Sequence, residues 1–297
     1  MRTVPYVTVD VFTEERFGGN PLAVVTDRRG LTDAEMQALA AEFNYSETTF
    51  VLPPDDPART ARVRIFNRTH EMPFAGHPNV GTACVLAEMG RDRAGLLVFE
   101  EAAGLVEVRV ERDGAGTVAS ATIAAPQPLS LGVELPVDGV AACLGLAAEE
   151  IDVRAHRPVV ASVGITFVLV EVAAAALPRA AANLAAFRRL AAERAADLAG
   201  RLSIFFYAHS SPGRVRARMF APLAGTWEDP ATGSASAALA ALLLSLGTGD
   251  RIALDVLQGI EMGRPSRIHA AARRLPDGLR ATVRGSCVTV FQGHAYL

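Results

Sequence analysis

The sequence predicts an α+β protein of two similar halves, each with a β-sheet enclosing one apolar helix. Three observations support this fold class. Short segments that alternate apolar and polar residues, as strands do, outnumber the candidate helices. A similar motif opens an apolar helix in each half of the chain. The second of these helices keeps almost no polar face, so it must be surrounded by other structure.

The length of 297 residues is large for a single hydrophobic core, so we expect two domains. The stretch "APQP" at 125–128 is a candidate linker. We therefore expect an N-terminal domain over residues 1–125 and a C-terminal domain over 126–284. We expect the last strand, about 285–297, to return to the N-terminal domain.

The N-terminal half contains most of the alternating strands. A strand at 6–12 meets the turn signal "GGNP", and the chain returns as a strand at 21–25. The spacing of Thr32 and Glu35 predicts a capping box at the start of a helix over 32–43. Further strands are predicted at 47–52, where two prolines end the strand, and at 62–66. The stretch "GHPNVGTACVLAEMG" (76–90) reads as a loop that turns into a helix, and a hairpin and another strand follow.

The second half repeats this organisation. Short helices are predicted at 137–144 and 147–151, and two strands follow them. One helix is predicted over 183–200. Two more strands lead into the apolar helix within "EDPATGSASAALAALLLSLG" (228–247), and "LPDGL" indicates a closing hairpin.

The composition excludes several classes of function. A formal charge of −3 without charge runs gives no reason to expect a nucleic-acid or membrane partner. The longest apolar run, 235–246, is shorter than the roughly 20 residues that span a bilayer. The N-terminus lacks the apolar core of a signal peptide. We therefore expect a cytoplasmic protein.

The chain contains no lysine, since all 29 basic residues are arginine. A Schiff base to a lysine amine is therefore impossible, which excludes pyridoxal-phosphate enzymes and lysine-type aldolases. The cysteines Cys84, Cys143 and Cys287 are far apart and show no CxxC spacing. We expect reduced thiols, no disulfide framework and no metal site.

The two helix-opening motifs match position by position. "GHPNVGTA" (76–83) and "EDPATGSA" (228–235) both read polar, Pro, any, any, Gly, hydroxyl, Ala. The pairs are His77 with Asp229, Gly81 with Gly233, and Thr82 with Ser234. Each copy follows an alternating strand and precedes an apolar helix. This shared context indicates an internal duplication.

The repeated motif is suited to binding an anion. The first turn of a helix has unpaired N–H groups and the positive end of the macrodipole. Small residues let an anion approach those donors. Two such helices, facing one cleft, would bind a small carboxylate. Alternatively, both are ordinary capped helices whose hydroxyl residues are structural.

Five motifs in order resemble the phenazine biosynthesis PhzF-like isomerases, which share the diaminopimelate epimerase fold. They are "DVFTEERFGGNPLAVV", "NYSETTFVLPP", "EMPFAGHPNVGTA", "EDPATGSASA" and "QGIEMGRPS", and they cover nearly the whole chain. The resemblance implies two pseudo-symmetric domains, each a curled, barrel-like sheet around a central helix. It also implies a cofactor-free isomerase, usually a homodimer, with its active site in the cleft between the domains.

The resemblance also implies the site residues. The acid/base glutamate falls on Glu47, and the helper residues fall on His77, Asp229 and Ser234. The small residues Gly76, Gly81 and Gly233 fall on the two helix openings. The epimerase relatives use one cysteine at each opening, and this chain has none there. A two-thiol amino-acid racemase or epimerase is therefore disfavoured.

Glu47 lies beside the apolar residues "TFVL", where burial would raise the pKa of its carboxyl. Such a group can take a proton from one carbon and return it to another. The alternative for Glu47 is a solvated residue at a strand end. His77 is either a hydrogen-bond donor to a developing enolate or a structural histidine.

The remaining candidates each have two interpretations. In the first interpretation Asp229 orients the substrate or His77. In the second it is the N-cap residue of the helix that follows it. Ser234 and neighbouring amides would bind a carboxylate. The further candidates for substrate binding, each of which also has a structural explanation, are Asn20, Thr82 and Arg264.

The favoured function is a cofactor-independent isomerase that transfers a proton on a small, possibly cyclic and conjugated, carboxylate. A serine hydrolase using Ser234, His77 and Asp229 lacks the Gly-x-Ser-x-Gly elbow and places its serine in a helix. A non-catalytic metabolite-binding or interaction protein on the same fold is the other alternative.

Overall fold

The computed structural model describes residues 2–27, 30–198 and 201–297. The chain divides into two compact units. Unit 1 comprises Met1–Ala124 together with Arg284–Leu297, and unit 2 comprises Ala125–Val283. Among the described residues, no helix is both long enough and apolar enough to cross a bilayer.

Over its described residues, unit 1 is a mixed sheet with two helices. Its helices are α1 (Asp33–Phe43) and α2 (Gly76–Glu88). Its strands are β1 (Thr3–Val11), β2 (Asn20–Val25), β3 (Glu47–Leu52), β4 (Ala61–Asn67), β5 (Glu71–Met72), β6 (Leu96–Glu101), β7 (Gly104–Arg112), β8 (Val118–Ala124) and, from the end of the chain, β17 (Cys287–Tyr296).

Unit 2 has the same kind of architecture. Its strands are β9 (Ser130–Glu134), β10 (Val159–Ser162), β11 (Thr166–Glu171), β12 (Ile204–Ser211), β13 (Arg214–Phe220), β14 (Arg251–Gln258), β15 (Ser266–Leu275) and all but the last two residues of β16 (Gly278–Gly285). Its helices are α3 (Val137–Leu144), α4 (Leu184–Glu193), α5 (Ala195–Leu198) and α6 (Gly233–Leu246).

The strand pairing repeats between the units. In unit 1 neighbouring strands follow the order β17-β1-β2-β3-β4-β6-β7. The pairs β2–β3 and β4–β6 are parallel, and the other four pairs are antiparallel. In unit 2 the order β9-β10-β11-β12-β13-β14-β15 shows the same succession of pairings. In both units the apolar helix belongs to the chain segment that connects the two strands of the second parallel pair: α2 connects β4 to β6, and α6 connects β13 to β14. This common topology supports the internal duplication inferred from the sequence.

The sheet of each unit curls around its central helix. In unit 1, α2 packs against β1, β2, β3, β7, β8 and β17, and nearly all its residues are buried. In unit 2, α6 packs against β10, β11, β14 and β15, and it is buried on every side along most of its length. Burying all faces of a helix explains why neither helix keeps a polar stripe. The predicted α+β fold with sheet-enclosed helices is confirmed.

Several predicted elements occur with small changes. The capping box of α1 is present, with both Thr32 and Glu35 making its hydrogen bonds. The second short helix of unit 2 is a single 3₁₀ turn, Ala148–Glu150. The stretch at 76–90 contains no opening loop, because α2 begins at Gly76 itself. Pro78 is tolerated there because the first helical turn needs no intrahelical donor.

The single helix predicted over 183–200 is wrong. Asn183 caps α4 through its side chain, but the helix ends at Glu193, and the short α5 follows. The break falls at Arg194, whose backbone leaves the helical region. The last two residues of that prediction, 199 and 200, lie outside the described residues.

Candidate functional site

Glu47 and His77 lie side by side in unit 1. Glu47 begins β3, His77 is the second residue of α2, and Nε2 of His77 lies 3.4 Å from Oε2 of Glu47. Both side chains are largely buried, with exposed fractions of 7% for His77 and 16% for Glu47. The sequence-predicted carboxyl and imidazole groups are therefore in contact.

Asn20 approaches the other nitrogen of the same imidazole. Its Nδ2 lies 3.4 Å from Nδ1 of His77, and Asn20 is fully buried at the start of β2. An amide nitrogen can only donate, so this contact favours the tautomer in which Nδ1 accepts and Nε2 carries the hydrogen. That hydrogen points toward the Glu47 side of the ring.

The His77 imidazole is neutral. Burial lowers the pKa of His77 to about 3, because the charged ring would lose its hydration. Among the described residues, Nε2 has no hydrogen-bond partner. A buried N–H without a partner is costly, which makes it a ready donor to a bound molecule.

The start of α2 leaves further donors available. The residue before the helix is Ala75, and no side chain caps the helix. The amides of Gly76 and His77 therefore lie at the positive end of α2 without a side-chain acceptor. The buried ring, the helix start and Glu47 form one polar group of residues within unit 1.

Thr82 and Gly81 lie deeper in α2 than the sequence suggested. The Thr82 hydroxyl is 2.8 Å from that of Thr49, and both threonines are fully buried. At Gly81 a Cβ atom would stand 2.6 Å from Leu22 and 2.8 Å from Val11, so glycine permits close packing of helix on sheet. These contacts give both residues a role in packing, whereas substrate binding by them stays a prediction.

Asp229 is held by a network within unit 2. Its Oδ2 accepts a 2.6 Å hydrogen bond from the hydroxyl of Thr232. Nε2 of Gln258 donates to the carbonyl oxygen of Asp229 at 2.8 Å and to the Thr232 hydroxyl oxygen at 3.0 Å. Oε1 of Gln258 accepts from the Thr232 amide at 2.9 Å. Asp229 therefore does not occupy the N-cap position of α6, which belongs to Thr232.

The residue next to Asp229 is anchored by a buried ion pair. Arg218 donates from Nε and Nη2 to the two carboxylate oxygens of Glu228, at 2.7 and 2.9 Å. Its Nη1 donates to the carbonyl oxygens of Leu177 and Ala180. A bidentate ion pair of this kind fixes the orientation of the carboxylate as well as compensating its charge. The turn that carries Asp229 is thereby held from two sides.

The first turn of α6 offers hydrogen-bond donors. Gly233 begins the helix and is buried, and no side chain caps it. Ser234 is half-buried, and its hydroxyl makes no hydrogen bond within the described part of the chain. Arg264 is half-buried in the turn after β14, where its amide donates to the carbonyl oxygen of Gly259 at 3.0 Å.

Two buried polar residues are not among those that the sequence predicts for the site. Gln258 lies within the motif "QGIEMGRPS", and its role depends on tertiary contacts with Asp229 and Thr232. Glu101 ends a strand of the predicted hairpin. The alternation of Leu97, Phe99 and Glu101 was a signal for it, because it places all three on the inward face of β6.

None of the three cysteines lies in the first turn of a helix. Cys84 is buried within α2, Cys143 is buried in α3, and Cys287 begins β17. Among the described residues, no group of three or more His, Cys, Asp or Glu side chains is arranged to hold a metal ion. The start of α2 has the Glu47 carboxyl and the His77 imidazole beside it, and the start of α6 has the Asp229 carboxyl, the Gln258 amide and the hydroxyls of Thr232 and Ser234.

Comparison with known proteins gives one consistent result. The family model for phenazine biosynthesis-like proteins matches residues 9–293. An uncharacterized isomerase of Mesorhizobium japonicum is 42% identical, and the alignment covers 100% of both chains. The trans-2,3-dihydro-3-hydroxyanthranilate isomerase of Pseudomonas aeruginosa is 38% identical over 98% of this chain and 99% of its own length.

Solved structures agree with the sequence matches. A phenazine biosynthesis protein of the PhzF family from Bacillus anthracis is 25% identical, covers both chains fully and superposes with a TM-score of 0.88. A hydroxyproline epimerase from Agrobacterium vitis is 14% identical, with a TM-score of 0.63 and coverage of 100% of this chain and 93% of its own. At that identity the second likeness concerns the fold alone.

Proposed function

Because the chain belongs to the phenazine biosynthesis-like PhzF family and is an isomerase, we propose a specific reaction for it. It moves a proton between two carbon atoms of a small carboxylate-bearing substrate, by acid/base catalysis at Glu47 and without a cofactor. The observation that carries the proposal is the contact between Glu47 and His77. A carboxyl group lies 3.4 Å from a buried neutral imidazole whose Nε2 has no hydrogen-bond partner among the described residues.

The proposed proton transfer needs only one carboxyl group. The Glu47 carboxylate takes a proton from a substrate carbon, and the electron pair of the C–H bond enters a conjugated system. Glu47, now protonated, delivers a proton to another carbon of the same system, and one-for-one exchange of the Glu47 proton with solvent lets deuterium from D₂O appear at that carbon. The proton and the electron pair are both accounted for within substrate and enzyme, so the net change is an isomerisation.

His77 would stabilise the intermediate. Its Nε2–H is preorganised by burial and by the contact of Asn20 with Nδ1. A neutral imidazole donates a hydrogen bond to a developing enolate oxygen without giving up its proton. Such preorganised donors often supply a large share of the rate enhancement.

We propose that the first turn of α6 binds a substrate carboxylate. Support comes from the uncapped helix start at Gly233 and from the Ser234 hydroxyl, which has no partner among the described residues. Helix starts of this kind bind anions through backbone amides. The Ser234→Ala variant should raise KM more than it lowers kcat, because the hydroxyl would hold substrate and transition state alike.

The proposal is tested by incubating the purified enzyme in D₂O with candidate substrates. The first candidate is trans-2,3-dihydro-3-hydroxyanthranilate, the compound after which the relative from P. aeruginosa is named. The other candidates are small cyclic carboxylates and amino acids. Proton NMR should show isomerised product with deuterium at carbon, also after treatment with a chelator. A carboxylate that binds without exchange or isomerisation would support a metabolite-binding protein instead.

A further inference from the structure

Glu101 brings a carboxyl group into the interior of unit 1. It is the last residue of β6, and it shares the inward face of that strand with the buried Leu97 and Phe99. The preceding Glu100 faces outward and accepts hydrogen bonds from backbone amides near residue 55. The Glu101 carboxyl lies instead beside the side chain of Asn79, in the first turns of α2.

Three buried oxygen atoms of Glu101 and Asn79 accept no hydrogen bond from the described residues. Both carboxyl oxygens of Glu101 and Oδ1 of Asn79 are shielded from solvent, and none has a hydrogen-bond partner within the described residues. The Asn79 amide nitrogen is already used, because it donates to the carbonyl oxygen of Ala75 at 3.0 Å. A buried carboxylate without a donor is costly. A carboxylic acid carries one O–H group, which is the donor that Asn79 Oδ1 lacks.

We propose that Glu101 is a protonated positioning residue, whose O–H donates to Asn79 and so holds the first turn of α2. That turn carries His77, so the inference about activity rests on the function proposed for His77. The turn after β6 is also tied to the segment just before α2, since the Ala103 amide donates to the carbonyl oxygen of Pro73 at 3.1 Å. The pair formed by the Glu101 carboxylic acid and the Asn79 amide, called the acid–amide pair below, would add a side-chain contact to this backbone contact.

The surroundings of Glu101 favour the neutral form. Burial raises its pKa to about 8, and this effect outweighs the neighbouring Asn79 side chain, which acts to lower the pKa. The neighbouring inward residues of β4 and β7, Val63 and Val106, are apolar, and His77 on α2 is neutral. Arg62 of β4 is half exposed and pairs with an aspartate outside. No cation that would favour a carboxylate lies beside Glu101 in the part of the chain that the structure describes.

Infrared spectroscopy tests the protonation directly. The wild-type protein at pH 7 should show the carbonyl band of a buried carboxylic acid, and Glu101→Gln should lack it. Raising the pH through about 8 should remove the band from the wild type. A wild-type spectrum at pH 7 without this band would overturn the proposal.

The positioning role is tested by hydrogen exchange of the backbone amides at 79–82, the first ones in α2 that can donate within the helix. Glu101→Ala should speed their exchange at least tenfold, because Asn79 loses its partner. Glu101→Gln keeps a donor for Asn79 and should leave the exchange within about twofold of wild type. Equal protection in all three proteins would overturn the role, whether or not any substrate has been found.

Activity gives a third readout once a substrate is known. Glu101→Ala should lower kcat at least tenfold with little change in KM, and Glu101→Gln should restore it at pH 7. Wild-type kcat should fall above pH 8 with a limb that Glu101→Gln lacks. An unchanged alkaline limb in Glu101→Gln would contradict the inference. A protein without isomerase activity would refute the proposed function while the infrared and exchange results still decide the acid–amide pair.

Discussion

Thr232 donates its hydroxyl hydrogen to Oδ2 of Asp229 across 2.6 Å, at the start of α6. The same hydroxyl oxygen accepts from Gln258, so donor and acceptor roles are both fixed. Thr232 therefore determines which way the Asp229 carboxyl points. A hydroxyl at this position orients an acidic group more firmly than solvent would, because the network is buried.

Thr232→Val keeps the shape of the side chain and removes the hydrogen bond to Asp229. Hydrogen bonds to charged groups contribute about 1.5–3 kcal/mol. We expect kcat/KM to fall roughly tenfold or more, since 1.4 kcal/mol corresponds to a factor of ten. Steady-state kinetics on the substrate found by the D₂O screen measure this.

Thr232→Ser is the matched control, because it keeps the hydroxyl and should retain most of the activity. Equal kinetics for the valine variant and the wild type would show that the orientation of Asp229 does not matter for turnover.

The Thr49–Thr82 pair predicts a double-mutant result for stability. Thr82→Val leaves the buried Thr49 hydroxyl without its partner, at a cost of about 1–3 kcal/mol in the free energy of unfolding. Replacing both threonines with valine removes the unpaired group, so the double variant should be more stable than the single ones. Urea unfolding of the four proteins measures the coupling.

The same cycle separates packing from substrate binding at Thr82. If the residue acts only in packing, the double variant keeps its KM. A large rise in KM in a well-folded double variant would instead favour the predicted contact with substrate.

The neutral state of His77 predicts a dependence of stability on pH. The unfolded chain binds a proton at this imidazole below about pH 6.5, whereas the folded protein binds it only near pH 3. Within that window the unfolded state holds more protons, so the free energy of unfolding falls as the pH falls. The contribution is at most about 1.4 kcal/mol per pH unit.

Urea unfolding of wild type and His77→Gln between pH 7 and pH 4 measures this contribution. The variant should lose less stability over the range, because glutamine does not titrate. Parallel curves for the two proteins would mean that His77 is protonated in the folded state.

Local sequence signals predicted much of the fold. The two prolines after Leu52 predicted the end of β3 at the residue where the strand ends in the structure. The spacing of Thr32 and Glu35 predicted the start of α1. The apolar character of 235–246 indicated a helix enclosed on all sides. By contrast, nothing in the composition around Arg194 revealed the break between α4 and α5, because every residue there is compatible with a helix.

The candidate site was predictable only in part. Motif resemblance indicated Glu47 and His77, and the structure brings these two into contact. The network around Asp229 depends on Gln258, which is 26 positions further along the chain than Thr232. Contacts at that separation follow from strand register and not from local pattern. The alternation along β6 places Glu101 on the inward face, but the extent of its burial and its position beside Asn79 depend on tertiary contacts.

The most direct test of the account is deuterium exchange by Glu47→Gln. Glutamine keeps the size and polarity of the side chain but cannot accept a proton from carbon. With a substrate that the wild-type enzyme labels in D₂O, the variant should show no deuterium at carbon and no isomerised product, while still binding that substrate. Exchange at the wild-type rate in a folded Glu47→Gln protein would contradict the assignment of Glu47 as the proton-transferring group.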